Sequence, residues 1–210
     1  MRNERQLTVL VYWVALAWAA TLLVGGTVPT LAFFKPVSTV AGAVVLSLAA
    51  FDKWLWHWSI LRGILVRRPD LRGTWQVELR STWIDPASGL ETPPIEAYLV
   101  VFQTYSTLGM RLFTAESESR LRGSEILVNE DDTFEVVAVY QNEPKLEFRA
   151  RSPIHQGALK LGVRGSPPTA LDGHYWTDRG TQGAMVARRR RAKTFDSFEH
   201  ARVGFSHRLR

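Results

Sequence analysis

The chain has 210 residues, a formal net charge of +6 and no cysteine, which agrees with a reducing compartment. Its charge is unevenly distributed: residues 69–187 hold 11 Lys and Arg against 16 Asp and Glu, whereas residues 188–210 hold eight against two. Because the central part of the chain is acidic, a polyanion-binding groove across it is not supported, and DNA or RNA polymers are not expected as partners.

Two apolar runs open the chain, Leu7–Val24 and Pro36–Phe51. The first has 18 residues without a charge, about the length that crosses a hydrocarbon core of roughly 30 Å. The second is shorter, but apolar residues resume at Trp54, Trp56 and Trp58, so we expect the helix to continue into the interface with an aromatic belt. A buried hairpin of core helices, or a signal peptide for the first run, is the alternative to two transmembrane helices.

Charges beside the two runs predict the orientation of the helices. The connector 25–35 is short, so the outer ends of both helices lie on one side. Basic residues flank those ends, while only Lys35 lies between the runs. By the positive-inside rule, residues 1–68 form a two-helix, multi-pass transmembrane region with both chain termini in the cytoplasm.

From Gly73 onward, apolar and polar residues alternate with a period of two, which predicts β-strands. Clusters of Gly, Pro, Asn and Asp separate eight or nine such runs, one of which is the segment 145–151. The predicted fold class is therefore a membrane α-hairpin plus an all-β domain, in which residues 69–189 form a small eight-stranded antiparallel up-and-down β-barrel of the lipocalin-like type. A two-sheet sandwich is the alternative, because alternation alone does not distinguish the two.

Two segments depart from this pattern. The run 97–104 is apolar on both faces, so we expect its outer face to meet another protomer, the helices or the membrane surface. Residues 190–210 form a basic C-terminal tail. We interpret this tail as a solvated, partly disordered extension or as an electrostatic attachment to an anionic leaflet.

Several polar residues fall on the inward face of the predicted strands. Each unpaired buried polar group costs about 1–3 kcal/mol, so these side chains bond one another, water or a ligand. A single inward Ser or His is usually a satisfied core residue, but the set as a whole predicts a pocket for a polar ligand. The set consists of Gln103, Ser117, Ser119, Asn142, His155, Tyr175 and Thr177.

Three further side chains suit a nucleotide. Arg179 lies in a tight turn, where its guanidinium can bind phosphate oxygens; pairing with Asp172 or Asp178 is the alternative. Trp83 and Tyr105 can stack on a base, although aromatic residues at strand ends also cap cores.

The sequence offers little for catalysis. It has no metal-ligand spacing, no GxxxxGK phosphate loop and no GxSxG elbow, and its five histidines are scattered. The pattern indicates a binding module and not an enzyme, with no cofactor or metal.

Four motifs carry a resemblance to a known family. They are the GTW start at Gly73, the QT at Gln103 and Thr104 followed by a TxxSxS segment at Thr114, Ser117 and Ser119, the YxNxP turn at Tyr140, Asn142 and Pro144, and the YWTxRxTxG segment from Tyr175 to Gly183. With two apolar runs ahead of them, the chain resembles over roughly residues 5–190 the two-transmembrane, β-strand-rich effectors of cyclic-oligonucleotide-based antiphage signalling (CBASS). These are cyclic nucleotide receptors associated with SMODS/CD-NTase enzymes.

The resemblance implies a barrel that binds a cyclic dinucleotide made by a partner CD-NTase cyclase after phage infection. Ligand binding would promote homo-oligomerisation, and the helices would disrupt the lipids of the bacterial inner membrane and kill the cell. The candidate ligand contacts are Gln103, Thr104, Ser117, Ser119, Tyr140, Asn142, His155, Tyr175, Thr177 and Arg179. The competing interpretations are a membrane-tethered lipocalin-like carrier of an apolar ligand and an interaction module without a nucleotide ligand.

Overall fold

Eight strands of this chain close into one antiparallel barrel. The computed structural model describes residues 12, 15, 19, 34–58, 60–61, 66–84 and 89–206. Each strand is hydrogen-bonded to the next in sequence, and the eighth pairs back with the first, which confirms the predicted up-and-down barrel and not the sandwich. The strands are β1 (Gly73–Ser81), β2 (Ile95–Gln103), β3 (Leu108–Thr114), β4 (Ser117–Val128), β5 (Phe134–Pro144), β6 (His155–Arg164), β7 (Ala170–Thr177) and β8 (Gln182–Arg191).

The alternation of the sequence places one face of the strands inside the barrel. Trp75 on β1, Leu99 on β2, Val136 on β5 and Leu161 on β6 are each at most 1% exposed, and they belong to one continuous core. Burying a side chain of this size contributes about 1.5–3 kcal/mol. The inward face predicted for these strands is therefore confirmed.

The predicted strand at residues 145–151 is wrong. Residues Leu146–Phe148 form a short 3-10 helix, and Ser152 donates its backbone N–H to the Phe148 carbonyl at 2.9 Å. Leu146, which alternation placed inside, is 80% exposed. The segment instead turns the chain between β5 and β6, because its short-range hydrogen bonds replace those of a strand ladder.

Helix α1 (Phe34–Lys53) contains the second apolar run. The chain divides by internal packing into two units, Met1–Ala49 and Ala50–Arg210, so the last turn of α1 belongs to the unit of the barrel. In that turn the Asp52 carbonyl accepts a hydrogen bond from Tyr105 N at 3.0 Å. This contact satisfies one of the carbonyls that a helix end leaves without an intrahelical partner.

The predicted continuation of this helix through the tryptophans is wrong. After Lys53 the chain turns and forms a 3-10 helix at Leu55–His57. Trp56 is fully buried, with the Arg72 guanidinium 5.2 Å from its ring centroid, whereas Trp54 and Trp58 are more than half exposed. Trp56 is therefore part of the folded unit and not of an aromatic belt.

The first predicted membrane helix, Leu7–Val24, lies outside the described residues apart from Tyr12, Ala15 and Ala19, which have helical backbone. Within the ranges that the structure describes, no helix has both the length and the apolar character needed to span a bilayer. The membrane location and the domain boundaries at residues 68 and 189 stay predictions.

The segment interpreted as a solvated tail is folded through Ser206. Helix α2 (Phe198–Ser206) packs on the outer face of β2, where Tyr98 is 1% exposed. The Tyr98 ring lies 5.4 Å from that of Phe198 and 5.3 Å from that of Phe205, between ring centroids. Part of the apolar outer face of β2 is therefore covered by this helix.

A bulge in β8 gives neighbouring arginines opposite directions. Arg189 has a φ of 50° and interrupts the register with β1, and its Nη2 donates to the Phe205 carbonyl at 3.3 Å on the outside. Arg190 pairs with Trp75 in register, and its Nη1 donates to the Asp70 carbonyl at 2.7 Å. Arg189 therefore binds α2 outside the barrel, and Arg190 helps to close one end of the barrel.

Candidate functional site

A cavity of about 490 Å³ lies at one end of the barrel. Strands β1, β3, β5 and β7 end there and β2, β4, β6 and β8 begin there, because each strand reverses the direction of the one before it. Apolar side chains from several strands form part of its wall, among them Leu99, Leu112, Leu121, Leu159 and Met185. The opposite end is closed by Leu71, Trp75 and Arg190.

Eight of the ten predicted ligand contacts line this cavity. They come from β4, β5, β6, β7 and the β7–β8 turn, so they are distant in sequence and are brought together by closure of the barrel. The eight are Ser117, Ser119, Tyr140, Asn142, His155, Tyr175, Thr177 and Arg179.

The structure places Gln103 and Thr104 at the opposite end of the barrel. The Gln103 amide accepts from Leu71 N at 2.8 Å and donates to the Pro69 carbonyl at 2.9 Å. Thr104 Oγ1 donates to Asp52 Oδ1 at 3.2 Å. These two residues therefore bind neighbouring backbone and side chains, and we leave them out of the candidate site.

Asn142 and Ser119 form a buried polar pair in the cavity wall. They face each other across β4 and β5, and Ser119 Oγ donates to Asn142 Oδ1 at 2.8 Å. Asn142 is 7% and Ser119 9% exposed. Among the described residues, no group accepts a hydrogen bond from Asn142 Nδ2, so its two N–H groups are available to a ligand.

Two tyrosines lie against glycines on the neighbouring strand. Tyr140 pairs in register with Gly157, and Tyr175 with Gly183. A Cβ at Gly157 would lie 2.5 Å from the Tyr140 hydroxyl, so only glycine leaves room for this ring. Burial raises the pKa of Tyr140, and within the described part of the chain its hydroxyl has no hydrogen-bond partner.

Two arginines and one carboxylate line the mouth of the cavity. Arg151 Nη2 binds Glu116 Oε1 at 2.6 Å, and both side chains are about half exposed. Arg179 is exposed, and its Nη1 donates to Ser152 Oγ at 3.1 Å. The mouth therefore carries a net positive charge, which favours an anionic ligand.

The alternative partners of Arg179 are engaged elsewhere. Arg164 Nε binds Asp172 Oδ1 at 2.6 Å, and Asp178 Oδ2 accepts from Gln156 N at 3.1 Å. Across the described ranges, Arg179 has no ion pair with a carboxylate. The guanidinium is therefore free to bind phosphate oxygens.

His155 lines the cavity, where its surroundings disfavour the charged ring. Burial lowers the pKa of His155, and the positive charge of Arg179 acts in the same direction. The ring Nδ1 lies 3.0 Å from the Pro153 carbonyl, which requires the proton on Nδ1. In the neutral ring, Nε2 is then a hydrogen-bond acceptor.

Of the two aromatic residues considered for base stacking, only Trp83 lines the cavity. The loop after β1 is held there because Thr92 Oγ1 donates to the Trp83 carbonyl at 3.0 Å. Tyr105 lies at the other end, edge-on to Phe51 with the ring centroids 5.1 Å apart.

Sequence reasoning missed several lining residues. Thr114 and Thr181 bond to predicted contacts, with Oγ–Oγ distances of 3.0 Å to Ser117 and 2.7 Å to Thr177. Both threonines belong to the motifs that carry the family resemblance, so the motifs could have identified them as lining residues. No feature of the sequence indicated Arg151, because it lies in the segment wrongly predicted as a strand.

Comparison with known families identifies the barrel. Residues 66–189 match the family described as Cap15, cyclic dinucleotide receptor domain, which spans more than half of the chain. No curated protein matches the chain. The match begins just before the residues that close the barrel and ends within β8, so it covers every strand that contributes to the cavity. The chain therefore belongs to the Cap15 family of cyclic dinucleotide receptor domains.

Proposed function

We propose that this chain is the effector of a CBASS antiphage system and that the cavity of its barrel senses a cyclic dinucleotide. One observation carries the proposal. The cavity of this member of a receptor-domain family has arginines at its mouth, and its wall carries polar groups of Tyr140 and Asn142 that have no hydrogen-bond partner among the described residues. A ligand that fills the cavity would displace water from these groups, and leaving one unsatisfied would then cost about 1–3 kcal/mol, so a ligand with complementary polar atoms is favoured.

The dimensions and chemistry of the cavity suit this ligand. Its volume falls in the range of about 300–1,000 Å³ usual for small-molecule sites. Apolar walls such as Leu159 and Met185 accept the face of a base, and the guanidinium of Arg179 matches the geometry of a phosphate. The same buried polar groups disfavour the lipocalin-like carrier, because an apolar ligand would leave them unpaired.

The proposed output is disruption of the bacterial inner membrane. The apolar runs Leu7–Val24 and Pro36–Phe51 would place the chain in that membrane with both termini in the cytoplasm, where a CD-NTase cyclase would supply the ligand. Ligand binding would drive self-association of the barrels, and the clustered helices would then perturb the surrounding lipids.

Calorimetry on the full chain in detergent tests the sensing step. A panel of cyclic dinucleotides with different bases and linkages is titrated beside a fatty acid, and we expect at least one cyclic dinucleotide to bind. Arg179→Ala should weaken that binding about tenfold, because a charge-assisted contact to phosphate is lost.

Arg122→Ala is the matched control. Arg122 is exposed on β4, where its Nη2 donates to Gln141 Oε1 at 2.9 Å, and it does not line the cavity. We expect wild-type affinity from this variant. Failure of the folded wild type to bind any cyclic dinucleotide would contradict the proposed function.

A further inference from the structure

The cavity is polarised along its depth. Asn142 and Ser119 offer neutral groups that are more than nine-tenths buried, whereas the charged Arg151 and Arg179 stand exposed or half-exposed at the mouth. Burying an anion is far more costly than burying a hydrogen-bonded neutral group. A cyclic dinucleotide, the ligand class on which this inference rests, would therefore keep its phosphates at the mouth and insert a base edge toward Asn142.

The hydrogen bond from Ser119 sets what Asn142 can recognise. Because Ser119 Oγ donates to Oδ1 at 2.8 Å, the amide is held with its Nδ2 donors available to the ligand. The complementary base atom is an acceptor. A ring carbonyl, as in guanine or uracil, supplies one, whereas adenine presents its N6 amino donor beside the acceptors N1 and N7.

We propose that Asn142 is a specificity-determining residue, oriented by Ser119, that selects cyclic dinucleotides with at least one carbonyl-bearing base. Guanine and uracil satisfy this requirement, and a ring with two adenines does not. Ser119 acts as the positioning residue, since it reaches the base only through Asn142.

Calorimetry with three 3′–5′-linked ligands tests the proposal on the full chain in detergent. The ligands are cyclic di-GMP, cyclic di-UMP and cyclic di-AMP. We expect cyclic di-AMP to bind about tenfold or more weakly than the better of the other two, because N1 and N7 of adenine each lie beside the N6 amino group, which would meet the Nδ2 donors.

Two variants test the residues. Asn142→Asp replaces the donors with an acceptor while Ser119 can still donate to it, so the preference for the carbonyl ligand over cyclic di-AMP should fall at least about tenfold. Ser119→Ala frees the Asn142 amide to rotate. The ratio of the affinities for the carbonyl ligand and for cyclic di-AMP should therefore fall toward one, while thermal unfolding stays cooperative.

Asn129→Asp is the control for both. Asn129 lies in the β4–β5 turn at the opposite end of the barrel, where its Nδ2 donates to Thr133 Oγ1, and the wild-type preference should persist in this variant. Equal or tighter binding of cyclic di-AMP by the wild type, or a proportional loss of all ligands in Asn142→Asp, would overturn the inference alone. Absence of any cyclic dinucleotide binding by the wild type would overturn the proposed function, and this inference with it.

Discussion

Individual glycines determine how much of the barrel interior stays open. Tyr140 has a bulky ring on an inward position, and a strand of ordinary residues opposite it would push the ring into the cavity. Gly157 avoids this clash. It has no Cβ, so the Tyr140 ring and the Trp176 carbonyl can occupy the space where a Cβ would lie. The open volume of the cavity therefore depends on the absence of a side chain at Gly157 of β6 as well as on the residues that line it.

Replacing Gly157 by alanine should destabilise the protein and narrow the cavity. The new Cβ would meet Tyr140 atoms at 2.5 Å and the Trp176 carbonyl at 2.6 Å, so backbone and ring have to move. We expect a loss of about 1–3 kcal/mol in the free energy of unfolding, measured in urea, and weaker ligand binding. Gly109→Ala is the control, since its Cβ would find only ordinary contacts at 3.8 Å, and an equal loss there would refute the steric explanation.

Asp70 makes the stability of the barrel depend on pH. Burial alone would raise the pKa of Asp70, but hydrogen bonds and positive charge from Arg72, with the charge of Arg190, lower the pKa from 3.8 to about 2. The folded state thus binds this proton more weakly than the unfolded state, so the stabilisation is present above about pH 4 and is lost as the pH falls toward 2.

Asp70→Asn should therefore destabilise the protein by about 1–2 kcal/mol at pH 7, with partial solvent screening allowed for, and by less at pH 2.5. Urea unfolding of wild type and variant at the two pH values measures the difference. Asp132→Asn is the control: the Asp132 side chain is 80% exposed and lies 3.8 Å from Arg67, so we expect a change below about 0.5 kcal/mol. A loss for Asp70→Asn that does not vary with pH would refute the role of its ionisation.

At the scale of elements, alternation predicts the strands because packing acts on one face of each. It identifies Gln103 and Asn142 equally as inward residues, yet it does not say which end of the barrel either one reaches. That assignment depends on the reversal of each strand and on the backbone groups at Pro69 and Leu71 that the Gln103 amide satisfies. The short helix at Leu146–Phe148 escaped prediction because alternating apolar and charged residues also suit a turn that exposes both.

Helix α2 should contribute measurable stability although it lies outside the barrel. Phe205→Ala removes the ring that packs on Tyr98 and beneath the Arg191 guanidinium, 5.3 Å from its centroid. We expect a loss of about 2–3 kcal/mol in the free energy of unfolding. This value is at or below the lower end of the range usual for replacing a buried phenylalanine by alanine, because the cluster is small. Val203→Ala on the same helix, at a residue 54% exposed, should change stability by less than about 0.5 kcal/mol, and equal losses would contradict the packing.

For the whole molecule, the proposed self-association has a thermodynamic consequence. If a cyclic dinucleotide favours assembly, assembly must by reciprocity favour the ligand by the same factor. The apparent affinity should therefore rise as the protein becomes denser in a membrane, even though each barrel has the same cavity.

Reconstitution of the full chain in anionic phospholipid vesicles at two protein-to-lipid ratios tests this coupling. We expect ligand-dependent release of an entrapped dye, and at the tenfold higher density a ligand concentration for half-maximal release that is at least about fivefold lower, as a coupling of 1–3 kcal/mol predicts. Arg179→Ala should shift both curves to higher ligand concentration, because it weakens the binding that assembly depends on, whereas Arg122→Ala should leave them in place. A half-maximal concentration that is independent of density would contradict ligand-driven assembly while leaving the receptor role of the barrel intact.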